Sequence, residues 1–496
     1  MRVQPPVRTW SPAYLRPVFY LIGGMLAVLA IAMLVPAAVD ASAGHPDWHG
    51  FVLSAAVTLV CGGLLLAAAR CDLSDGLTLR QAFMLTPMAW LVIALFSALP
   101  LYLSDHAALR GSVTDAVFEA MSGLTTTGAT VITGLDQAPP GILLWRALLQ
   151  WMGGIGIIAV AIAILPTLGV GGMQLFRTES SDRSEKVLPR VREIAAAIGA
   201  IYLGLTVACA LAYWLAGMAP FDAVAHALST VATGGYSTSD ASLGHWQSAA
   251  VEWIAVAFMI LGALPFVAYV GLVRGNRRVL RNSQAVTFLL FCAAMSVLLA
   301  AWLALSGRYG IADAIRHAVF NVVSIVTTAG FATVDYTLWG NMAVGIFFGL
   351  LFVGGCTGST TGGIKIFRFE VMARVLRSYF LQLLYPRGVF PRTYGGKQLP
   401  DEVVASVVAF FTVYFLCYGG LTIALMAFDL DFLTSASAAV ASLSNVGPGL
   451  GPAIGPHGNF ASLPDAAKWL LCFAMLLGRL ELFAVLVLFM PSFWRG

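Results

Sequence analysis

Thr126-Thr127-Gly128, Ala232-Thr233-Gly234, Thr328-Ala329-Gly330 and Asn445-Val446-Gly447 are four short glycine-bearing stretches that recur along a chain of 496 residues. Their glycines lie 106, 96 and 117 residues apart. Each follows an apolar segment too short to cross a bilayer, over residues 114–124, 221–231, 312–326 and 434–443, and each precedes one long enough to do so. Each short segment opens near an acidic residue, Asp115, Asp222, Asp313 or Asp431, which complements the positive end of a helix dipole. The order long span, short helix, glycine turn, long span therefore repeats four times.

Composition fixes the solvent. Apolar residues make up 59% of the chain and charged ones 10%, with a mean hydropathy of +0.85, more than a soluble core needs. A membrane-crossing helix takes roughly 20 apolar residues, and ten stretches qualify: 18–39, 51–69, 83–103, 142–165, 194–215, 253–273, 285–305, 342–380 with an interruption, 403–427 and 469–490. Ten crossings put both termini on one side. With the amino terminus cytoplasmic, 22 of the 28 Lys and Arg fall on inner segments, so the positive-inside rule supports that orientation and the glycine turns open outward. The net charge of +4 follows from this bias and gives no sign of nucleic acid. The Ala41-Ser42-Ala43 stretch looks like a cleavage site, but the apolar run before it is longer than a signal-peptide core and a second span follows at once. The seven cysteines are scattered, without CxxC or metal spacing, and read as packing residues.

Irregular backbone at membrane depth is tolerated only where protein buries it or water reaches it. Four such stretches at matching positions point to a common axis. Glycine suits them because carbonyls aimed into a pore need dihedrals that L-residues avoid, and a ladder of such carbonyls replaces the hydration shell of a potassium ion. Half-helices ending at the turns aim partial negative charge at the same space. A single turn of this kind reads equally well as a tight hairpin connection; the fourfold spacing favours the pore.

Several runs resemble the Trk/Ktr/HKT superfamily of potassium transporters, and within it the bacterial TrkH-type membrane subunit: Met121 through Ala129, Gln150-Trp151-Met152-Gly153-Gly154-Ile155-Gly156, Gly171-Gly172-Met173-Gln174-Leu175, Gly354 through Ser359, and Asn445-Val446-Gly447-Pro448-Gly449. The resemblance spans essentially the whole chain. It implies an all-α polytopic membrane protein in which four pseudo-symmetric helix, pore helix, filter loop, helix repeats surround one pore, preceded by two extra transmembrane helices. The expected units are residues 1–80 for the leading helices and 81–192, 193–281, 282–400 and 401–496 for the repeats. It further implies potassium bound at the twelve turn residues named at the outset, a homodimer in the inner membrane among lipid, and a cytosolic nucleotide-binding TrkA-type regulatory subunit. This chain has no Walker A motif and no GxGxxG opening a βαβ unit, so no cofactor is expected on it and nucleotide control would come from that partner. In the family's plant members, serine at the first filter glycine accompanies sodium preference; here all four positions are glycine. None spells the full potassium-channel TVGYG.

Two features lie below the turns. Gly354-Gly355-Cys356-Thr357-Gly358-Ser359-Thr360-Thr361-Gly362-Gly363 interrupts the eighth span, too poor a helix former to continue it. By resemblance it is the intramembrane gating loop, with Lys365 just after it as an anchor; a glycine kink for close helix packing is the plainer reading. Arg479 stands mid-membrane, where it costs about 2.5–3.5 kcal/mol even on lenient insertion scales and must face protein or water. The family's arginine there points into the pore. A pair with carbonyls or with an acid on another helix is the alternative, and Glu481, two residues on, projects from the wrong side to serve. Glu119 and His226 on the short helices could couple protons or simply be hydrogen-bonded, and Asp136, Asp240 and Asp335 could gather cations at an outer mouth or be solvated loop charges. The expected function is potassium uptake through a gated pore, with proton- or sodium-coupled symport as the alternative. An intramembrane enzyme would need a nucleophile with its base, paired aspartates or a metal cluster, and the sequence offers no such set.

Overall fold

The structure is a computed structural model of the chain, and residues 12–73, 76–163, 187–276, 282–395 and 397–495 are described. The Gly171 to Leu175 run and most of the basic residues expected between Arg177 and Arg192 lie outside them.

Two leading helices, α1 (Pro12–Ala43) and α2 (Trp48–Ala68), pack as an antiparallel hairpin. Gly23 and Gly62 are the crossing point: a Cβ on either would stand 2.9 Å from the carbonyl oxygen of the other, the close approach that small residues permit between membrane helices. The hairpin is fastened to the rest through Asp40. This buried carboxylate accepts the Gly141 backbone N–H at 2.6 Å, so α1 supplies a cap to the Pro139-Pro140 start of α5.

The first repeat comprises α3 (Leu79–Ser97), the short helix α4 (Val113–Leu124) and α5 (Pro140–Ala163). The second comprises α6 (Val187–Leu215), α7 (Pro220–Val231), and α8 (Ala249–Ala263) with α9 (Phe266–Val273). The third has α10 (Ser283–Leu305), α11 (Ile311–Val326), and α12 (Asn341–Leu350) with α13 (Ile366–Leu384). The fourth has α14 (Asp401–Met426), α15 (Phe432–Leu443) and α16 (Asp465–Arg479). Among the described residues the only strand pairing between named strands is a two-residue hairpin, Thr393–Tyr394 with Lys397–Gln398.

Seven of the ten expected spans are unbroken helices. The sixth, 253–273, is instead α8 and α9 bent by 90°, because Pro265 supplies no N–H and cannot continue the ladder. The tenth, 469–490, bends by 109° after Arg479, where Glu481 (φ +61°) and Leu482 (φ +53°) both take left-handed backbone. The eighth is split by the loop between α12 and α13. These breaks lie in the outgoing helices of repeats 2, 3 and 4, on the side of the turns away from the vestibule.

The four short helices end where the sequence places their ends. Ser112 and Asp431 cap α4 and α15 through their side chains. At the other end all four helices close alike: Thr127, Gly234, Ala329 and Val446 N–H groups donate five residues back to Ser122, Ser229, Ser324 and Ala441, the Schellman closure, which places one residue in left-handed conformation. The repeats then interlock around a ring. α5 packs on α7, α8 on α11, and α16 on α4, so the fourth repeat's outgoing helix returns to the first repeat's short helix.

Candidate functional site

The left-handed residue ending each short helix is Thr126 (φ +52°), Thr233 (+50°), Thr328 (+57°) or Asn445 (+54°). Two residues later a glycine again has positive φ: Gly128 (+82°), Gly235 (+83°), Gly330 (+73°) and Gly447 (+102°). In repeats 1, 3 and 4 these are the turns singled out in the sequence. In repeat 2 the register moves by one residue. Gly235, not Gly234, occupies the fourth equivalent place, and the equivalent turn is Thr233-Gly234-Gly235 rather than Ala232-Thr233-Gly234. The spacing shared by all four, two residues from helix end to left-handed residue and two more to glycine, leaves Ala232 as the residue just after α7.

These glycines meet. A Cβ on Gly128 would stand 2.2 Å from the Gly234 carbonyl oxygen, on Gly235 1.8 Å from that of Ala329, on Gly330 2.1 Å from that of Val446, and on Gly447 2.6 Å from that of Thr127. Each repeat's glycine thus abuts the peptide just before the next repeat's glycine, and the fourth returns to the first. Only glycine fits four such contacts in succession. All four glycines also line one vestibule of about 200 Å³, whose wall includes Asp240 and His457.

Side chains behind the ring hold it in register. Gln150 on α5 donates to the Gly234 carbonyl at 2.6 Å and accepts the Tyr236 N–H at 3.0 Å, clasping repeat 2's turn from repeat 1. Arg146, one turn earlier, pairs with Glu119 at 2.7 Å, donates to the Ser237 carbonyl at 2.9 Å, and lies 4.0 Å over the Tyr236 ring. Glu119 in turn accepts the Val131 N–H at 2.9 Å. Glu119 and Arg146 are both buried; the pair joins α4 to α5 within repeat 1, and the Arg146 bond to Ser237 ties that repeat to repeat 2. His226 occupies the corresponding site in repeat 2, nine residues before Gly235 as Glu119 is nine before Gly128. Its Nε2 shares a hydrogen bond with Ser237 Oγ at 2.9 Å and its Nδ1 one with the Asp222 carbonyl at 2.8 Å. Of the three mouth aspartates, Asp240 alone lines the vestibule, held by the Gly134 and Leu135 N–H groups. Asp136 stands 3.7 Å from His245, and Asp335 caps the Tyr336–Trp339 turn.

Beneath the ring the loop 354–363 threads the break between α8 and α9. The Cys356 and Thr360 N–H groups donate to the Ala263 and Gly262 carbonyls at 3.0 and 3.2 Å, and Phe266 N–H donates to Gly358 at 3.0 Å. The 90° bend therefore exposes the backbone groups on which the loop docks. Gly354-Gly355 and Gly362-Gly363 bring the loop's ends together: a Cβ on Gly354 would stand 2.1 Å from the Gly362 carbonyl oxygen. Ser359 shares a hydrogen bond with Thr361 at 2.8 Å, and Thr357 N–H donates to Gln284. Lys365, buried, donates to the Thr361 carbonyl and hydroxyl. Arg479, 2% exposed, donates to the Thr360 carbonyl at 2.8 Å and to Gly153 at 3.3 Å. It thus ties the loop to repeat 1 through carbonyls. Glu481 is not its partner; it pairs with Arg368 on α13. The cavity between loop, Arg479 and Glu481 is about 20 Å³, room for about one water and none for a hydrated ion.

The sequence profile of the TrkH family, a group described as cation transport proteins, matches residues 49–495. The chain belongs to the TrkH family. It resembles the Trk system potassium uptake protein TrkI of Halomonas elongata, at 46% identity across 100% of this chain and 99% of that protein. TrkH proteins of Vibrio parahaemolyticus and Escherichia coli are 40% and 37% identical, each over 97% of this chain. The crystal structure of the potassium transporter TrkH from Vibrio parahaemolyticus superposes with a TM-score of 0.89, at 38% identity, covering 97% of this chain and 99% of that one. As a member of the TrkH family the chain is an all-α polytopic transport protein and not an enzyme.

Gln150, Arg146 and Arg368 are the functional-site residues to which the sequence assigned no role of their own. A polar side chain in an otherwise apolar span is the signal that marks Gln150 and Arg146; Arg368 stands among Lys365, Glu370, Arg374 and Arg377 and carries no such signal.

Proposed function

We propose that this chain is the potassium-conducting subunit of a Trk-type uptake system. The carbonyl ring of Thr126-Thr127-Gly128, Thr233-Gly234-Gly235, Thr328-Ala329-Gly330 and Asn445-Val446-Gly447 selects the ion, and the loop 354–363 with Lys365 and Arg479 gates it. The observation that carries this reading is the closed cycle of glycine-to-carbonyl contacts opening onto one vestibule. Relatives that are Trk system potassium uptake proteins, matched over 99% of their length, support it. The four helix carboxyl ends that converge there favour a cation, and main-chain oxygens would replace its water.

The path below is blocked by a loop whose backbone docks on a helix break and whose Thr360 carbonyl is held by Arg479. Release of that contact is the opening step, under a cytosolic TrkA-type subunit acting through the basic inner segments. The protein works as a homodimer in the bacterial inner membrane with both termini cytoplasmic, each subunit carrying its own pore. Obligatory symport is disfavoured by the state of its two candidate groups: the Glu119 carboxylate is paired with Arg146, and both His226 nitrogens are engaged.

Cation-replacement flux in proteoliposomes tests the reading, with potassium, rubidium and sodium in turn and with Gly128→Ser beside the unaltered protein. Potassium and rubidium flux that follows voltage without a proton gradient, and sodium flux that rises in Gly128→Ser, are the expected results. Dominant sodium permeation in the unaltered protein would overturn the assignment.

A further inference from the structure

The residue six before each ring glycine is Ser122, Ser229, Ser324 or Ala441. Each is fully buried on the short helix behind its turn, and each gives its backbone carbonyl to the helix closure. Their side chains differ in use. Ser122 Oγ donates to the Ala129 carbonyl and Ser324 Oγ to the Phe331 carbonyl, both at 2.6 Å. Ala129 and Phe331 are the residues just after Gly128 and Gly330. The Tyr236 hydroxyl adds a second donor on the Ala129 oxygen at 3.3 Å.

In repeats 2 and 4 the corresponding carbonyls belong to Tyr236 and Pro448. Ser229 Oγ is buried without a hydrogen-bond partner among the described residues, and Ala441 has no donor to offer. Tyr236 and Pro448 both line the vestibule, and among the described residues nothing donates to either carbonyl. The backbone is fourfold, in left-handed residue and glycine alike, yet the side-chain donors behind it alternate around the ring.

We propose that Ser122 and Ser324 are positioning residues that turn the Ala129 and Phe331 carbonyls off the axis, so that the layer just outside the ring glycines offers an ion oxygens from repeats 2 and 4 alone. This rests on the pore reading above. A carbonyl oxygen has two lone pairs. Hydroxyls take both on Ala129, and a short bond from the helix behind the turn aims the Phe331 oxygen the same way. Two opposed carbonyls do not replace a hydration shell, whereas a full set of four one residue deeper does. A cation entering from the vestibule therefore keeps part of its water at the outermost layer and loses the rest at the glycine carbonyls. The two serines set the depth at which discrimination begins.

The test is anomalous density from rubidium in crystals of the unaltered protein, of the double variant Ser122→Ala with Ser324→Ala, and of Ser229→Ala. The rubidium concentration that half-saturates thermal stabilisation of the same proteins is the second readout. The unaltered protein should show density inside the ring and weaker density in the layer outside the glycines. In the double variant the freed carbonyls turn to the ion, so the outer density should rise and the half-saturating concentration fall by about 2- to 12-fold, the range of one net hydrogen bond. Ser229→Ala deletes the same hydroxyl from the same place in its helix and should change neither readout. Lost packing alone would move all three serine sites alike. Outer density as strong as inner density in the unaltered protein would overturn this inference and leave the pore reading standing, as would a double variant indistinguishable from Ser229→Ala. No rubidium density anywhere in the ring would overturn both.

Discussion

Replacing Gly235 with serine should damage ion discrimination in a way that no compensating side-chain truncation repairs. A Cβ there would stand 1.8 Å from the Ala329 carbonyl oxygen and 3.0 Å from its carbon, so the seam between repeats 2 and 3 must open by about 1.6 Å to restore ordinary contact. The left-handed backbone adds about 1–2 kcal/mol of strain for any L-residue. That alone is a factor of about 5–30 in an equilibrium, spent against the ring geometry that separates potassium from sodium. Gly234→Ser is the matched control. Its added Cβ would meet the Gln150 side chain, 2.4 Å from Cδ, which swings away at the cost of two hydrogen bonds. The assay is the potassium-to-sodium flux ratio in proteoliposomes. Gly235→Ser should lower it by roughly tenfold or more, with or without Gln150→Ala, as the strain estimate implies. Gly234→Ser combined with Gln150→Ala should be no worse than Gln150→Ala alone. A normal ratio in Gly235→Ser, or its rescue by Gln150→Ala, would refute the one-residue register and the ring contact behind it.

Other perturbations follow from the same contacts. Arg479→Ala removes the charged donors on Thr360 and Gly153 and should raise basal flux of the isolated subunit about 10- to 150-fold, given about 1.5–3 kcal/mol for a hydrogen bond to a charged group; unchanged flux would leave Arg479 a packing residue. Glu119→Ala strands a buried guanidinium and should cost about 3–5 kcal/mol of stability, read as a large fall in the melting temperature in detergent, whereas a small fall would mean that Arg146 finds another partner. Gly62→Leu drives a side chain into the Gly23 carbonyl and should lower folded yield by separating α1 from α2, with flux selectivity of the surviving fraction unchanged. Exchanging the charges of Arg368 and Glu481 together should recover more folded protein than either single reversal, because the pair, rather than either charge alone, joins α13 to the bend after α16.

The short helices and their ends were legible because they rest on local rules: a capping acid, an apolar run of three to four turns, and a stop. The four turns were legible through their spacing. The register of the second was not, because Gly234-Gly235 offers two glycines and either completes a turn. The pattern that resolves it is present in the sequence: Thr126, Thr233 and Thr328 each stand two residues before their glycine, as does Asn445. The bend at Pro265 had a visible cause. That at Glu481-Leu482 did not, since neither residue favours left-handed backbone and the conformation is imposed by tertiary contacts, including the Arg368 pair. Arg479 was legible as buried and costly, but its partners, the carbonyls of Thr360 and Gly153, carry no side-chain signature. The clasp of Gln150 on repeat 2 and the pairing of Arg146 with Glu119 span 84 and 27 residues, and only the assembled ring brings those groups together.

The most direct test of the central claim is to locate the ion itself. Crystals of the protein grown with rubidium or thallium should show anomalous density on the axis, enclosed by the carbonyls of Thr127, Gly234, Ala329 and Val446. Heavy-ion density confined to the outer vestibule or to other cavities, with none inside the ring at saturating concentration, would contradict the account.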